Sequence, residues 1–209
     1  MLKFDLMPTP ASLSAASEPK RSPKQAVPEA LIYELDAGNP IYYKGYQDVL
    51  SGLKNLDDIL GDSNLQAWLK LHLGMLLHQQ LQPIGYVITS GEQGLKLGKG
   101  RRRDADIAVF RAENFVLSPN YSSLPPDAIV EIDVEADTSE SSDMTYIYRK
   151  VADYFAFGVK QVVWIFTSDQ KTTIFTPDQK PMTFDWSTDI QVLDKAKFNL
   201  NILLEEINQ

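Results

Sequence analysis

The sequence predicts an α/β protein in which a mixed β-sheet is flanked by α-helices. Two long segments carry apolar residues at helical spacing, one following Asp62 and Ser63 and the other spanning residues 141–157. Short apolar runs of strand length lie before, between and after these segments. Because helical and strand segments alternate along the chain, a single sheet with helices packed against it accounts for the pattern.

The composition fits one folded domain that follows a tail. The chain has 209 residues, of which 44% are hydrophobic, and this is enough for one sizeable core. Residues 1–30 are rich in Ser, Pro and Ala. We therefore predict a tail over residues 1–30 and one domain over residues 31–209.

Three absences in the sequence bear on the cellular compartment. The chain has no apolar run long enough for a transmembrane helix, no compact apolar stretch like that of a secretion signal, and no cysteine. The lack of cysteine excludes disulfides and thiolate metal sites. We therefore expect a cytoplasmic protein that does not enter a membrane.

The formal net charge of −8 opposes tight, non-specific binding to DNA. A local basic patch is nevertheless present at Lys96, Lys99, Arg101, Arg102 and Arg103. The three arginines are candidates for contacts with nucleic-acid phosphates. The alternative is that they form the solvated entry to a strand.

The first half of the domain predicts a hairpin, a helix and three strands. A turn signal at residues 36–40 predicts the hairpin. Either Asp62 or Ser63 can cap the first long helix, and Pro83 ends it. The glycine-rich segment 91–100 is predicted to be a turn. The strand candidates are residues 31–35, 41–43, 85–90, 105–110 and 128–134, with a short one around Leu95 and Leu97.

The second half predicts a helix over residues 141–157, two strands and a last helix at 200–207. Gly158 is suited to end the first of these helices. The run at 161–166 is apolar enough for a central strand, and residues 172–176 are placed to pair with it. The 141–157 helix carries an apolar stripe made of Met144, Ile147, Tyr148, Val151, Tyr154 and Phe155.

Two strand candidates carry carboxylates where a core is expected. Asp106 shares a strand face with Ala108, and Glu131 stands between two apolar residues with Asp133 following on its side. A buried carboxylate is costly unless it is paired or binds a metal. The alternative is a strand with one solvated face, which is the commoner reason for an isolated Glu-x-Asp pattern.

Lys150 is predicted at the border of the apolar stripe on the 141–157 helix. At about 100° per residue, it groups with Asp143, Tyr146 and Tyr154. From this border its ammonium group can extend toward the sheet. The alternative is an ordinary lysine whose stem covers apolar surface while its charge stays in water.

Three blocks of the sequence together resemble a known family. They are Arg-Asp-Ala-Asp-Ile-Ala-Val-Phe at residues 103–110, Pro-Asp-Ala-Ile-Val-Glu-Ile at residues 126–132, and the helix with Lys150 and Tyr154 that leads to Gly158. In this order and spacing they resemble the Uma-type putative restriction endonuclease family of the PD-(D/E)XK nuclease superfamily, over about residues 31–180. The resemblance implies a restriction-endonuclease-like fold.

The resemblance also implies a role for each matching residue. Asp106 and Glu131 would be catalytic ligands of a Mg²⁺ or Mn²⁺ ion. Lys150 would be the catalytic lysine, since the superfamily's usual lysine position holds Asp133. Glu34 matches an N-terminal glutamate of the family, and both Glu34 and Asp133 are additional site candidates.

The implied activity is that of a metal-dependent endonuclease, a hydrolase that acts on DNA phosphodiester bonds. Hard ions such as Mg²⁺ prefer carboxylate oxygens and activate water at a phosphate. Ala105 replaces the family's proline and Asp133 replaces a lysine. These departures favour the alternative of a catalytically inactive nuclease-fold protein that acts as a binding or assembly module. DNA is the expected partner, and a homodimer is left open.

Overall fold

A computed structural model of the protein describes residues 27–139 and 142–205. The α-helices in this part of the chain are α1 (Tyr46–Leu50), α2 (Asn64–Leu81), α3 (Asp143–Phe157) and α4 (Leu200–Glu205). The strands are β1 (Ile32–Asp36), β2 (Asn39–Tyr42), β3 (Tyr86–Gly98), β4 (Arg101–Arg111), β5 (Ala128–Ile132), β6 (Gln161–Phe166), β7 (Lys171–Phe175), β8 (Met182–Asp185), β9 (Ile190–Val192) and β10 (Ala196–Phe198).

Eight strands form one mixed sheet, as the sequence predicts. Seven of them follow the order β2-β1-β4-β5-β6-β7-β8, and β3 pairs with β4 outside this path. β5 and β6 are parallel and are connected through α3, while the other pairs in this sheet are antiparallel. β4 is long enough to pair with β3 along its length and with β1 and β5 near its two ends. This makes β4 the strand that joins the hairpin to the centre of the sheet.

The two faces of the sheet belong to two separate apolar clusters. The leucines of α2 pack with Ile107 and Val130 in one cluster. Ala108 and Ile129, the next positions on the same strands, belong to the other cluster together with Ile147 and further residues of α3. Because strand side chains alternate between faces, the buried strands β4 and β5 supply both cores.

Both predicted long helices are present, and α3 ends at Phe157 as predicted but begins at Asp143 rather than at residue 141. Ser63 caps α2, since its hydroxyl accepts from the backbone N–H of Gln66 at 3.2 Å while the Gln66 side chain accepts from the Ser63 N–H at 2.9 Å. Ser142 accepts in the same way from the Thr145 N–H at 3.1 Å at the start of α3. Gly158 ends α3 with a φ of +117°. This left-handed conformation suits glycine because it has no Cβ.

The prediction of a turn over residues 91–100 is wrong, although the short strand predicted around Leu95 and Leu97 is present within β3. β3 continues through this segment and pairs with β4, and the ladder shifts register between Ser90 and Gln93. A second irregularity lies between Lys96 and Gly98, whereas Gly94 pairs regularly with Asp104. The chain reverses only after Gly98. β8, β9 and β10 have no counterpart among the predicted strands, because each is only three or four residues long.

Part of the predicted tail and the end of the last helix lie outside the described residues. Residues 1–26 of the predicted 1–30 tail are not described, and residues 29–31 form a 3₁₀ turn that buries Leu31. The last helix is described as far as Glu205. In the described residues, no helix is long and apolar enough to cross a membrane.

We expect Gly158→Ala to destabilise the protein by about 1–2 kcal/mol. The alanine would have to adopt a left-handed backbone conformation with a φ of +117°. Its Cβ would lie 3.1 Å from Cγ of Pro125. Gly61→Ala is the matched control, since nothing lies within 4 Å of its added Cβ. Urea denaturation of both variants measures the difference, and equal stabilities would contradict the assigned role of Gly158.

Candidate active site

The sheet brings Asp106 and Glu131 onto adjacent strands. β4 and β5 are antiparallel neighbours, and their ladder ends at the pair Ile107–Val130, one position short of Asp106 and Glu131. The Asp106 carboxylate accepts the backbone N–H of Ile132 through Oδ2 at 2.7 Å, which ties it to the end of β5. Both side chains are buried, with 5% of Asp106 and 2% of Glu131 exposed.

Lys150 joins two carboxylates from different strands. Its Nζ lies 3.1 Å from Oε2 of Glu131 on β5 and 3.0 Å from Oε1 of Glu34 on β1. The Tyr154 hydroxyl, one turn further along α3, donates to Oε1 of Glu131 at 2.5 Å. The structure therefore places the predicted residues Glu34, Glu131 and Lys150 in one buried cluster that spans β1, β5 and α3.

Glu34 is enclosed by hydrogen-bond donors. Its carboxylate accepts from Nη1 of Arg103 at 2.8 Å, from the Tyr146 hydroxyl at 2.7 Å and from the Asp104 N–H at 3.2 Å. The other side of the Arg103 guanidinium donates to Asp153 on α3 at 2.6 and 3.0 Å. Full pairing of this kind is what allows a glutamate and an arginine to be buried together.

Arg103 is consequently not available to a nucleic acid in this conformation. Its side chain is 1% exposed, and its donors are engaged with Glu34 and Asp153. Arg102 donates to the Tyr33 carbonyl, whereas the Arg101 side chain is 47% exposed. Of the three predicted phosphate-binding arginines, Arg101 is the one best placed to meet a ligand from solvent.

A second lysine, Lys70 on α2, lies against Asp106. Its Nζ is 2.8 Å from Oδ1 of Asp106 and 2.6 Å from Oδ1 of Asp62. Sequence patterns do not single out Lys70, since it stands beside the leucine stripe like many lysines that only cover apolar surface. In the structure, Lys70 lies on the buried side of α2, one helical turn from the buried Gln66 and from the buried Gly74.

The two glutamates of the cluster have opposite pKa shifts. Burial raises the pKa of Glu131 to about 8, with Lys150 opposing and Asp106 adding to the effect. Burial acts on Glu34 in the same direction, but Lys150, Arg103 and Tyr146 outweigh it and lower the pKa. Burial alone would lower the pKa of Lys150, whereas Glu131 and Glu34 raise it well above its ordinary value. Glu34 is thus the carboxylate that keeps its charge most firmly beside Lys150.

Asp133 does not extend the carboxylate row, contrary to the sequence-based expectation. β5 ends at Ile132, and Asp133 has a φ of +60°, so the alternation between faces stops before it. Its carboxylate accepts from the Thr167 backbone N–H and hydroxyl, both at 2.7 Å. Asp133 therefore fixes the chain after β6 and pairs with neither Glu131 nor Lys150.

Helix α3 buries part of the predicted stripe, namely Ile147, Val151 and Tyr154, but its buried face is rotated away from the rest. Met144 and Tyr148 are 45% and 51% exposed, while Tyr146 and Lys150 are buried. The hydroxyl and ammonium groups of these two residues find carboxylate partners, which offsets the cost of their burial. Lys150 therefore lies inside the buried face, not at its border.

A cleft of about 780 Å³ opens beside the cluster, at the C-terminal ends of β5 and β6. Gln66 and Glu135 line it and hydrogen-bond to each other at 3.0 Å. Gln66 is one helical turn from Lys70, and burial raises the pKa of Glu135 with smaller influences from Lys70, Asp62 and Asp106. The cleft therefore lies near Lys70, although neither Lys70 nor Asp106 lines it. Its charged lining residues are Lys44, Lys54, Asp58, Asp133, Glu135, Asp143 and Asp169.

This arrangement defines a class of protein: a restriction-endonuclease-like α/β fold with acidic residues on adjacent central strands and a lysine from the following helix. A model of the Uma2 family, described as "putative restriction endonuclease", matches residues 60–200. The chain belongs to this family. No curated protein matches the sequence.

A solved structure supports the fold. The chain is similar to a crystal structure from Anabaena variabilis described as a "putative nuclease belonging to DUF820". The two share 15% sequence identity and superpose with a TM-score of 0.62, over 82% of this chain and 89% of the other.

We expect Lys150→Met to lower the free energy of unfolding by about 3–5 kcal/mol, because the change leaves two buried carboxylates without their shared cation. Lys171→Met is the matched control. Lys171 pairs with Asp185 on the surface, where loss of an ion pair costs less than about 1 kcal/mol. Urea denaturation of the two variants tests the expectation, and a loss as small as that of the control would contradict it.

Proposed function

We propose that this protein is a metal-dependent endonuclease that hydrolyses DNA phosphodiester bonds, with Asp106 and Glu131 as its metal ligands. The observation that carries the proposal is the burial of Asp106 and Glu131 on adjacent strands, together with the contacts of Lys150 with Glu131 and Glu34. These residues come from three strands and a helix, so their meeting is a property of the fold and not of a local sequence motif.

The donor set suits Mg²⁺ or Mn²⁺. Both ligands are carboxylates on adjacent strands, and Mg²⁺ is commonly held by one or two carboxylates together with water and substrate phosphate. Within the described residues, no group of three or more His, Cys, Asp or Glu side chains is arranged to hold a metal ion. A site built on Asp106 and Glu131 would therefore depend on water and substrate for its remaining ligands.

The protein's own residues would orient and balance charge at the reaction. When bound, Mg²⁺ supplies positive charge at a phosphate and lowers the pKa of water. Lys150 holds an ammonium group 3.1 Å from Glu131, where it can offset negative charge that develops nearby. Tyr154 fixes the other oxygen of Glu131. Glu34 keeps Lys150 in place from the opposite side.

The cleft explains why a polyanion would need a metal ion here. Five acidic residues and two lysines line it, so the cleft by itself repels phosphates. The whole chain has a formal net charge of −8. A divalent ion at the Asp106 side of the cleft would reverse this repulsion locally.

A second candidate function is a binding or assembly module without catalysis. It is favoured by one specific observation: 5% or less of Asp106, Glu131, Glu34 and Lys150 is exposed, and both Glu131 and Asp106 already contact a lysine. A closed, charge-balanced cluster of this kind can stabilise a fold without binding a metal.

The two candidates differ in what a divalent ion does to the protein. For a nuclease, we expect Mg²⁺ or Mn²⁺ at millimolar concentration to raise the melting temperature, because a ligand that binds only the folded state stabilises it. We also expect cleavage of plasmid DNA. Glu131→Gln should abolish the thermal shift and reduce cleavage by about a hundredfold or more, since it removes one ligand charge while keeping the shape.

Glu113→Gln is the matched control because Glu113 is exposed, and it should behave as the wild type. Circular dichroism of each variant checks that the fold is retained. The nuclease proposal is abandoned if the wild type shows neither a thermal shift nor cleavage with either ion. In that case the binding-module function stands.

A further inference from the structure

Lys70 holds the position on Asp106 that a metal ion would need. Its ammonium group is 2.8 Å from Oδ1, while Oδ2 of the same carboxylate accepts the Ile132 N–H at 2.7 Å. In the described residues, Lys70 is the only cationic side chain within 4.0 Å of Asp106. The Lys70 side chain is 6% exposed and the Asp106 side chain 7%, so solvent does little to screen the pair.

We infer that Lys70 is a built-in counter-ion of the site, which a divalent ion must displace from Asp106 in order to bind. This inference rests on the proposed function and adds a regulatory residue to it. The physical reason is the size of the repulsion. An ion bound to Oδ1 would lie about 2.1 Å from that oxygen, and so within about 5 Å of an ammonium group on the same atom. Two cations this close repel strongly in a buried site.

Displacement is feasible because Lys70 has a second partner. Asp62 lies 2.6 Å from Nζ, and its side chain is 26% exposed, so it stands nearer to solvent than Asp106. Lys70 can move toward Asp62 and keep one ion pair when it leaves Asp106. Glu135, at the cleft, also interacts electrostatically with Lys70. The lysine therefore has acidic neighbours other than Asp106.

Lys150 has no partner near solvent toward which it could move. It lies between two glutamates that come from different strands, and its side chain is 1% exposed. Movement away from Glu131 would leave it with Glu34, which is 0% exposed, so the ammonium would stay buried. The two lysines thus differ: Lys150 is held within the core, whereas Lys70 has a route toward solvent.

The first test measures Mn²⁺ binding to the full chain by titration calorimetry and by the electron paramagnetic resonance signal of free Mn²⁺. Lys70→Met removes the competing charge, and we expect it to tighten Mn²⁺ binding about tenfold or more. Lys197→Met is the matched control. Lys197 forms one surface ion pair with Asp189, so its loss makes the same change in net charge far from Asp106.

The outcomes separate the inference from the proposed function. If Lys70→Met binds Mn²⁺ more tightly than the wild type and Lys197→Met does not, Lys70 competes with the metal ion for Asp106. Adding Glu131→Gln to Lys70→Met should then abolish Mn²⁺ binding. Equal binding by the wild type and Lys70→Met overturns the inference and leaves the metal site intact. If neither protein binds Mn²⁺, the proposed metal site is overturned, and the inference falls with it.

A second measurement uses the wild type, in case Lys70→Met does not fold. In ¹⁵N-lysine-labelled protein, the buried ammonium groups of Lys70 and Lys150 should exchange slowly enough with water to be observed, and Lys70→Arg assigns the Lys70 signal. Addition of Mg²⁺ should remove or shift the Lys70 signal and retain that of Lys150. Saturation of the site with Mg²⁺ while the Lys70 signal stays unchanged would overturn the inference.

Discussion

The ion pairs of Lys150 with Glu34 and Glu131 constrain the rest of this structure. They connect β1, β5 and α3, three elements that are distant in sequence, through one buried ammonium group. Each charge would be costly to bury alone, and the cost is offset only when all three are in place. The position of α3 over the sheet is therefore set by charge as well as by apolar packing, because only one rotation of the helix delivers Lys150 to both glutamates.

The regular part of the fold could be predicted from the sequence because it depends on local patterns. Helices α2 and α3 have capping serines and a recognisable end, and β6 is a simple apolar run. The errors arise where tertiary pairing overrides local propensity. Glycines that signal a turn at residues 91–100 are accommodated in β3, because β4 offers a long partner. The short strands β8 to β10 likewise depend on their neighbours.

The sequence singles out candidate residues of the site but not the charged partners that surround them. Asp106, Glu131 and Lys150 stand out because carboxylates interrupt buried strands and a lysine recurs on the next helix. Their partners do not stand out. In the sequence, Arg103 is one more residue of a basic run, and Lys70 resembles an ordinary surface lysine of a helix. Neighbouring residues do not indicate that each pairs with a carboxylate about 35 or more positions away.

Lys70 and Lys150 neutralise the buried carboxylates of this acidic protein. Asp106, Glu131 and Glu34 cannot all remain charged in a dry core without cations, and Lys70 and Lys150 supply them. The described ion pairs therefore balance buried negative charge from within the chain. Under the proposed function, Lys150 would keep its two glutamates whether or not a metal ion binds, whereas Lys70 would leave Asp106 when a divalent ion binds. The proposal thus assigns stability to one buried lysine and control of metal binding to the other.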